Sequence, residues 1–128
     1  MTRPRILVVE DNDRNLKLVR DVLSHAGFDV VEARSGEQGV ALAQEETPDL
    51  VLMDLGLPGI DGSESLRQLR ATPSTAAVPV VAVTAYAMPE DRERTRQAGF
   101  DGFLTKPIDI RALPDQVRGY LAAEEPCG

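Results

Sequence analysis

The stretch Leu50-Val51-Leu52-Met53-Asp54 decides the fold of this chain. Its first four residues are consecutive and apolar, a pattern typical of a strand that is covered on both faces, as strands of parallel sheets are. A carboxylate follows directly, so an acidic group stands where the strand ends. The stretch therefore predicts a central strand of a parallel sheet with Asp54 at its carboxyl end.

Similar runs recur on both sides of this stretch, at residues 6–9, 28–33, 80–83 and 102–105. The runs at 6–9 and 80–83 are continuous and apolar, whereas the run at 28–33 mixes in charged residues and is typical of an edge strand. The runs are separated by segments that have apolar residues at helical spacing or many charged residues, as helices do. These predicted helices lie at residues 15–26, from 35 onward, 62–70, 89–97 and 110–121. This alternation predicts a single α/β domain built on a parallel sheet.

The ends of the helices carry their own signals. Asp13 is expected to cap the first helix, and Gly27 to stop it. Ser35 and Gln38 stand three residues apart, which is the spacing of a capping box at the start of the second helix.

Composition limits the classes of partner. The chain has 128 residues, of which 42% are hydrophobic and 27% charged, and this is enough for one domain with its own core. The formal net charge of −7 argues against a nucleic-acid or membrane-surface partner, since both are anionic. No apolar stretch approaches the roughly 20 residues of a membrane helix. The single cysteine, Cys127, permits a reducing compartment, and we expect a cytoplasmic protein.

Polar side chains follow four of the five predicted strands. Glu10 and Asp11 follow the first, Asp54 the third, Thr84 the fourth and Lys106 the fifth. Because ligands of open parallel sheets bind beyond the carboxyl ends of the strands, we expect these groups to share one site.

The charges of this site favour a divalent cation. Two carboxylates about 4 Å apart repel each other by roughly 4 kcal/mol at an effective dielectric of 20. Lys106 supplies only one positive charge, so the cluster needs a cation or raised carboxylate pKa values. Oxygen ligands without His or Cys favour Mg²⁺, Mn²⁺ or Ca²⁺ over zinc, and a site with few protein ligands suits Mg²⁺ that shares a phosphate. A cation, a hydroxyl and an ammonium group are the parts that phosphoryl transfer uses.

In this order and at these strand ends, the residues resemble the receiver domain of bacterial two-component response regulators. The resemblance covers essentially the whole chain, and the motifs that carry it are Glu10-Asp11, the run 54–62, Thr84-Ala85 and Lys106-Pro107. It implies a flavodoxin-like, doubly wound fold, with a five-stranded parallel sheet in the order 2-1-3-4-5 and five helices.

The resemblance also implies roles for the acidic residues. Asp54 matches the aspartate that accepts a phosphoryl group from a histidine kinase or a histidine phosphotransfer protein. Glu10 and Asp11 match the acidic pair that organises Mg²⁺, and the backbone carbonyl of Gly56 matches a further ligand of that metal, as does Asp54 itself.

The remaining implied roles concern signalling. Thr84 and Lys106 match residues that hold the phosphoryl oxygens, and the bond between Lys106 and Pro107 matches one that is usually cis. Phe103 matches an aromatic switch that packs inward when Thr84 moves toward the phosphoryl group. The implied protein is thus a switch that binds a downstream protein, not an enzyme.

The expected organisation is one stand-alone receiver domain over residues 1–128, with a core of about 5–122 and a short tail at 123–128, which leaves no room for an output domain. The alternative is a hydrolase with an aspartyl-phosphate intermediate, but the position of its second acid is occupied by Gly56. A flavin-binding domain is disfavoured because Glu10 and Asp11 would repel its phosphate. In the family that the chain resembles, the positions of Gly56 and Tyr86 tune hydrolysis by touching the attacking water. Neither residue offers a carboxylate or amide, so the resemblance argues against rapid self-dephosphorylation.

Overall fold

Strands and helices alternate in a computed structural model that describes residues 3–55, 62–85 and 88–124. The strands are β1 (Arg5–Val9), β2 (Asp29–Ala33), β3 (Leu50–Asp54), β4 (Val80–Thr84) and β5 (Gly102–Thr105). The helices are α1 (Asp13–His25), α2 (Gly36–Glu45), α3 (Gly62–Ala71), α4 (Pro89–Ala98) and α5 (Leu113–Glu124). Within the described ranges, no helix is long and apolar enough to cross a bilayer.

The five strands form one parallel sheet in the order β2-β1-β3-β4-β5, which confirms the predicted fold class. The run with interspersed charges, β2, lies at one edge as predicted, and β5 lies at the other. Every residue of β3 and β4 is buried, which explains why these two strands are apolar without alternation.

Alternate residues of the same strands enter two separate cores, one on each face of the sheet. Ile6 and Leu52 belong to the core under α1 and α5, whereas Leu7 and Met53 belong to the core under α2 and α3. The two faces are therefore both covered, as a doubly wound sheet requires.

The start of α1 differs from the prediction. Asn12, not Asp13, is the N-cap: its side-chain oxygen accepts a hydrogen bond of 3.0 Å from the backbone N–H of Asn15. Asp13 is the first helical residue, where its charge suits the helix dipole. Gly27 follows the end of α1 with φ 103°, a left-handed conformation that favours glycine.

Two other helix starts depend on side-chain hydrogen bonds. Ser35 caps α2 by accepting from the N–H of Gln38, while the Gln38 side chain accepts from the N–H of Arg34 instead of from the cap residue itself. The last helix begins at Leu113, three residues after the predicted start, because the carboxylate of Asp109 accepts from the N–H of Arg111 and forms a turn. Residues 125–128 of the predicted tail lie outside the described residues, so the domain boundary stays a prediction.

Candidate functional site

The parallel register brings the polar strand ends together. Val9 lies opposite Met53, so Glu10 and Asp54 follow at adjacent strand ends. Thr84 lies opposite Thr105, and the backbone N–H of Lys106 donates to the carbonyl oxygen of Thr84 at 2.8 Å. Glu10, Asp54 and Thr84 are all buried, although charged and polar residues are rarely so.

The Lys106 side chain contacts two carboxylates, one just after the end of β1 and one at the end of β3. Its ammonium nitrogen lies 2.6 Å from Oδ2 of Asp54 and 3.3 Å from Oε2 of Glu10. The peptide bond that follows, between Lys106 and Pro107, is cis, as the resemblance implies. The lysine side chain is only 25% exposed, so its charge acts on the two carboxylates with limited screening by water.

The Glu10 carboxyl shows the electrostatic cost of this arrangement. Burial raises the pKa of Glu10, and the hydrogen bond and charge of Asp54 raise it further. The N–H of Asn12, which donates to Oε1 of Glu10 at 3.1 Å, lowers this pKa, as does the charge of Lys106, but the net direction is upward. The backbone N–H of Asn12 also orients the Glu10 carboxylate, and no side-chain motif in the sequence predicts this contact.

The pKa of Lys106 is raised, although burial of its ammonium group acts to lower it. Burial alone would lower the pKa of Lys106, but its hydrogen bond with Asp54 and the negative charges of Asp54 and Glu10 together raise it. Lys106 is therefore a firmly charged cation at neutral pH, held between two carboxylates.

Three carboxylates form a cluster that suits a hard cation. One oxygen from each of Glu10, Asp11 and Asp54 lies within 4.8 Å of the others. Asp11 is exposed, whereas the other two are buried, so the cluster is open to solvent on one side. Oxygen donors of this number leave positions for water, as Mg²⁺ requires. Gly56, the fourth ligand implied by the resemblance, lies outside the described residues.

A cavity of about 420 Å³ opens beside the cluster. Asp54, Thr84, Lys106 and Phe103 all line it. Helix α4 also lines the cavity, through Asp91, Arg94, Thr95 and Ala98. The structure thus places the predicted acceptor, the predicted hydroxyl and ammonium groups and the predicted switch residue around one space.

The family model for the response regulator receiver domain matches residues 6–118. The chain belongs to this family. It is 40% identical over 116 residues to the polar-differentiation response regulator DivK of Brucella ovis, a match that covers 91% of this chain and 94% of DivK.

Solved structures show the same architecture. The receiver domain of a sensor histidine kinase from Pseudomonas aeruginosa, which has a magnesium ion coordinated in its active-site cleft, is 34% identical, with a TM-score of 0.86 and coverage of 94% of this chain and 99% of that one. A CheY-like receiver domain protein from Methanospirillum hungatei is 29% identical, with a TM-score of 0.87 and coverage of 99% and 100%. The family membership predicted from the motifs is confirmed, and with it a role in two-component signalling.

Sequence reasoning missed some residues around the site of this receiver domain. Ser63 and Arg94 also line the cavity beside Asp54, and the guanidinium carbon of Arg92 lies 5.5 Å from the centre of the Phe103 ring. The charged run at residues 90–96 is typical of a solvated helix face, and most of it is exposed. Only the packing of α4 beside β5 shows which of its charged residues face the site.

Proposed function

We propose that this receiver domain is a phosphorylation-dependent switch that accepts a phosphoryl group on Asp54, with Mg²⁺, from a phosphohistidine of a kinase or phosphotransfer protein. The observation that carries the proposal is the position of Asp54: a buried carboxylate, paired with Lys106 at 2.6 Å and clustered with two further acids, that lines a cavity of about 420 Å³. Membership in the receiver family favours this switch over the alternative of a hydrolase.

In the proposed transfer, the P–N bond of the phosphohistidine breaks as a P–O bond forms to a carboxylate oxygen of Asp54. The products are an acyl phosphate on Asp54 and a histidine ring with a free nitrogen. Lys106 supplies a positive charge for the transferred oxygens, and the Thr84 hydroxyl supplies a hydrogen-bond donor, so charge is stabilised as it moves.

The residues that would hold Mg²⁺ are Glu10, Asp11 and Asp54. The bound ion would supply charge neutralisation, which lets an anionic donor approach an acidic site. Exposure of Asp11 keeps one side of the cluster accessible, while burial of Glu10 fixes the opposite side. The magnesium in the cleft of the Pseudomonas relative supports this assignment.

The phosphoryl donor has a surface on which to dock. A second cavity, of about 400 Å³, reaches Glu10 and Lys106 from the side of α1, and Leu18 and Ile110 line it. Leu18 is 44% exposed and Ile110 38%, so two large exposed apolar side chains line the same cavity as Glu10 and Lys106. Such exposed apolar groups are typical of a protein partner surface, and a helix of the donor protein would bury them.

The proposed output depends on Thr84 and Phe103. Shifting a two-state equilibrium from 1:99 to 99:1 takes about 5.5 kcal/mol, whereas a charge-assisted hydrogen bond contributes about 1.5–3 kcal/mol. Thr84 alone is therefore insufficient, and Lys106 must contribute.

A phosphoryl mimic should change the amide chemical shifts across residues 84–106 of the wild type. We expect Thr84→Ala to be phosphorylated but to lose most of this change. Full wild-type changes in the variant would refute this mechanism.

The acceptor is tested by incubation with a small acyl-phosphate donor and Mg²⁺, followed by intact-mass measurement. The wild type should gain one phosphoryl group, and Asp54→Asn should gain none. Asp115→Asn is the matched control, because Asp115 is exposed on α5 and pairs with Arg118. Uptake by Asp54→Asn at the wild-type rate would show that the acceptor lies elsewhere.

The metal site is tested separately, by thermal melting at increasing Mg²⁺ concentration. Binding to the folded state alone should raise the melting temperature progressively, and Asp11→Asn should weaken that dependence. A melting temperature that Mg²⁺ leaves unchanged in the wild type would contradict the proposed site.

A further inference from the structure

Arg92 differs from its neighbours on α4. Arg94 pairs with Asp91 at 3.8 Å and Arg96 with Glu93 at 2.6 Å, both within the helix. Within the described part of the chain, Arg92 has no carboxylate partner, and its guanidinium group lies over the Phe103 ring instead. A cation over an aromatic face is attracted by the ring quadrupole.

Phe103 lines two spaces. One is the cavity of about 420 Å³ that Asp54 and Thr84 also line, and the other is a groove of about 230 Å³ that Arg92 lines. The ring is only partly buried. A movement into the larger cavity would take the ring toward Thr84 and away from the guanidinium group.

The helix that carries Arg92 is weakly anchored. Thr95 is the buried residue of α4, and its hydroxyl donates to the carbonyl of Asp91 in the same helix. The N-cap residue, Met88, makes no side-chain capping hydrogen bond. With so little apolar burial on this helix, the contact between Arg92 and Phe103 is one of the few side-chain contacts shown between α4 and β5.

We propose that Arg92 is a positioning residue of the switch: its guanidinium group holds Phe103 in the resting position and so raises the level of phosphorylation needed to move the ring inward. This proposal rests on the proposed function. A cation–π contact at an exposed site contributes enough to change a two-state ratio about two- to fivefold. Loss of the contact should increase the inward population by that factor, and the apparent affinity for a phosphoryl group or its mimic should rise equally.

The test uses the whole chain labelled with 4-fluorophenylalanine, which reports on its three phenylalanines, Phe28, Phe100 and Phe103. Beryllofluoride with Mg²⁺ serves as the phosphoryl mimic, and the fluorine resonance of Phe103 is followed during titration. Arg92→Gln should shift this resonance in the unmodified protein. It should also lower the beryllofluoride concentration at half-saturation about two- to fivefold, while Arg92→Lys should give an intermediate value.

The direction of the change separates the proposal from a simple charge effect. Removing a positive charge near an anion site should weaken binding of the anionic mimic, whereas release of Phe103 should strengthen it. Arg118→Gln is the matched control, because the Arg118 guanidinium lies 5.6 Å from the Phe28 ring, a contact of the same kind away from the site. It should move the Phe28 resonance and leave the titration of Phe103 unchanged.

Two results would overturn the proposal: a Phe103 resonance that Arg92→Gln leaves in place, or a half-saturation concentration that is equal to or higher than that of the wild type. If the wild type itself shows no response to the mimic, the proposed function fails. The contact is then judged on the Phe103 resonance of the unmodified variants.

Discussion

Replacing Lys106 by methionine keeps the length of the side chain and removes the ammonium group that contacts Asp54 and Glu10. At the observed separations of 2.6 and 3.3 Å, the two attractions amount to roughly 6 and 5 kcal/mol at an effective dielectric of 20. These gross values are opposed by the cost of removing the ammonium group from water. Removal of one partner from a buried ion pair costs 3–5 kcal/mol in general. Because Lys106 is 25% exposed, we expect the free energy of unfolding to fall by about 3 kcal/mol, at the lower end of that range.

The assay is urea unfolding followed by far-ultraviolet circular dichroism, in a buffer with a chelator that removes divalent cations. Lys17→Met is the matched control, since Lys17 is the other lysine of the chain and is exposed on α1. In the background of Asp54→Asn, the cost of Lys106→Met should be smaller by at least about 1 kcal/mol, because groups in contact are energetically coupled. A cost below 1 kcal/mol, or the same cost in both backgrounds, would refute this electrostatic account of the site.

Two further predictions concern packing and surface charge. Gly102→Ala should lower the free energy of unfolding by about 1–3 kcal/mol, because the Tyr120 ring occupies the position of the added methyl group. Gly119 lies on α5, the helix that carries Tyr120, and has open space around it, so Gly119→Ala should raise the free energy of unfolding by about 0.5–1 kcal/mol. Urea unfolding compares the two variants. The hydrogen bonds of Arg67 lower the pKa of Glu64 to about 2, from 4.5 in the unfolded chain, so this carboxylate stabilises the fold above pH 4.5 and loses its effect as the pH falls toward 2. Glu64→Gln should therefore be less stable than the wild type at pH 7, and the difference should shrink in unfolding experiments between pH 4.5 and pH 2; a difference that is constant over this range would contradict the assignment.

Local sequence patterns were sufficient for the sheet and for most of the site. Continuous apolar runs predict buried parallel strands, and in such a sheet every strand ends at the same edge, so the polar residues that follow four of the five strands are expected in one cluster. Glu10, Asp54, Thr84 and Lys106 were grouped in this way, and the structure brings them together, while their roles stay predictions. The ligand expected at Gly56 and the residue Tyr86 lie outside the described residues, and slow self-dephosphorylation stays a prediction.

The helix caps show where local pattern is not enough. Asn12 and Asp13 are both residue types that cap helices well, and the sequence-based prediction of Asp13 was wrong. The structure selects Asn12, whose N–H donates to Glu10 while its side chain accepts from Asn15. The cap is thus coupled to the acidic site, and the choice depends on a contact that exists only in the folded chain.

The amino-acid sequence by itself determined the alternation of strands and helices, the parallel sheet and the set of acidic, hydroxyl and ammonium groups at its carboxyl edge, because apolar periodicity and strand ends are local properties. Only the tertiary structure decided that Lys106 bridges Asp54 and Glu10, and that Arg92 lies over Phe103. These pairs join residues of different elements, and their distances depend on how α4 and the β5–α5 connection pack against the sheet. Burial then sets the strength of each charge interaction, since water screens a charge on the surface far more than one in the interior.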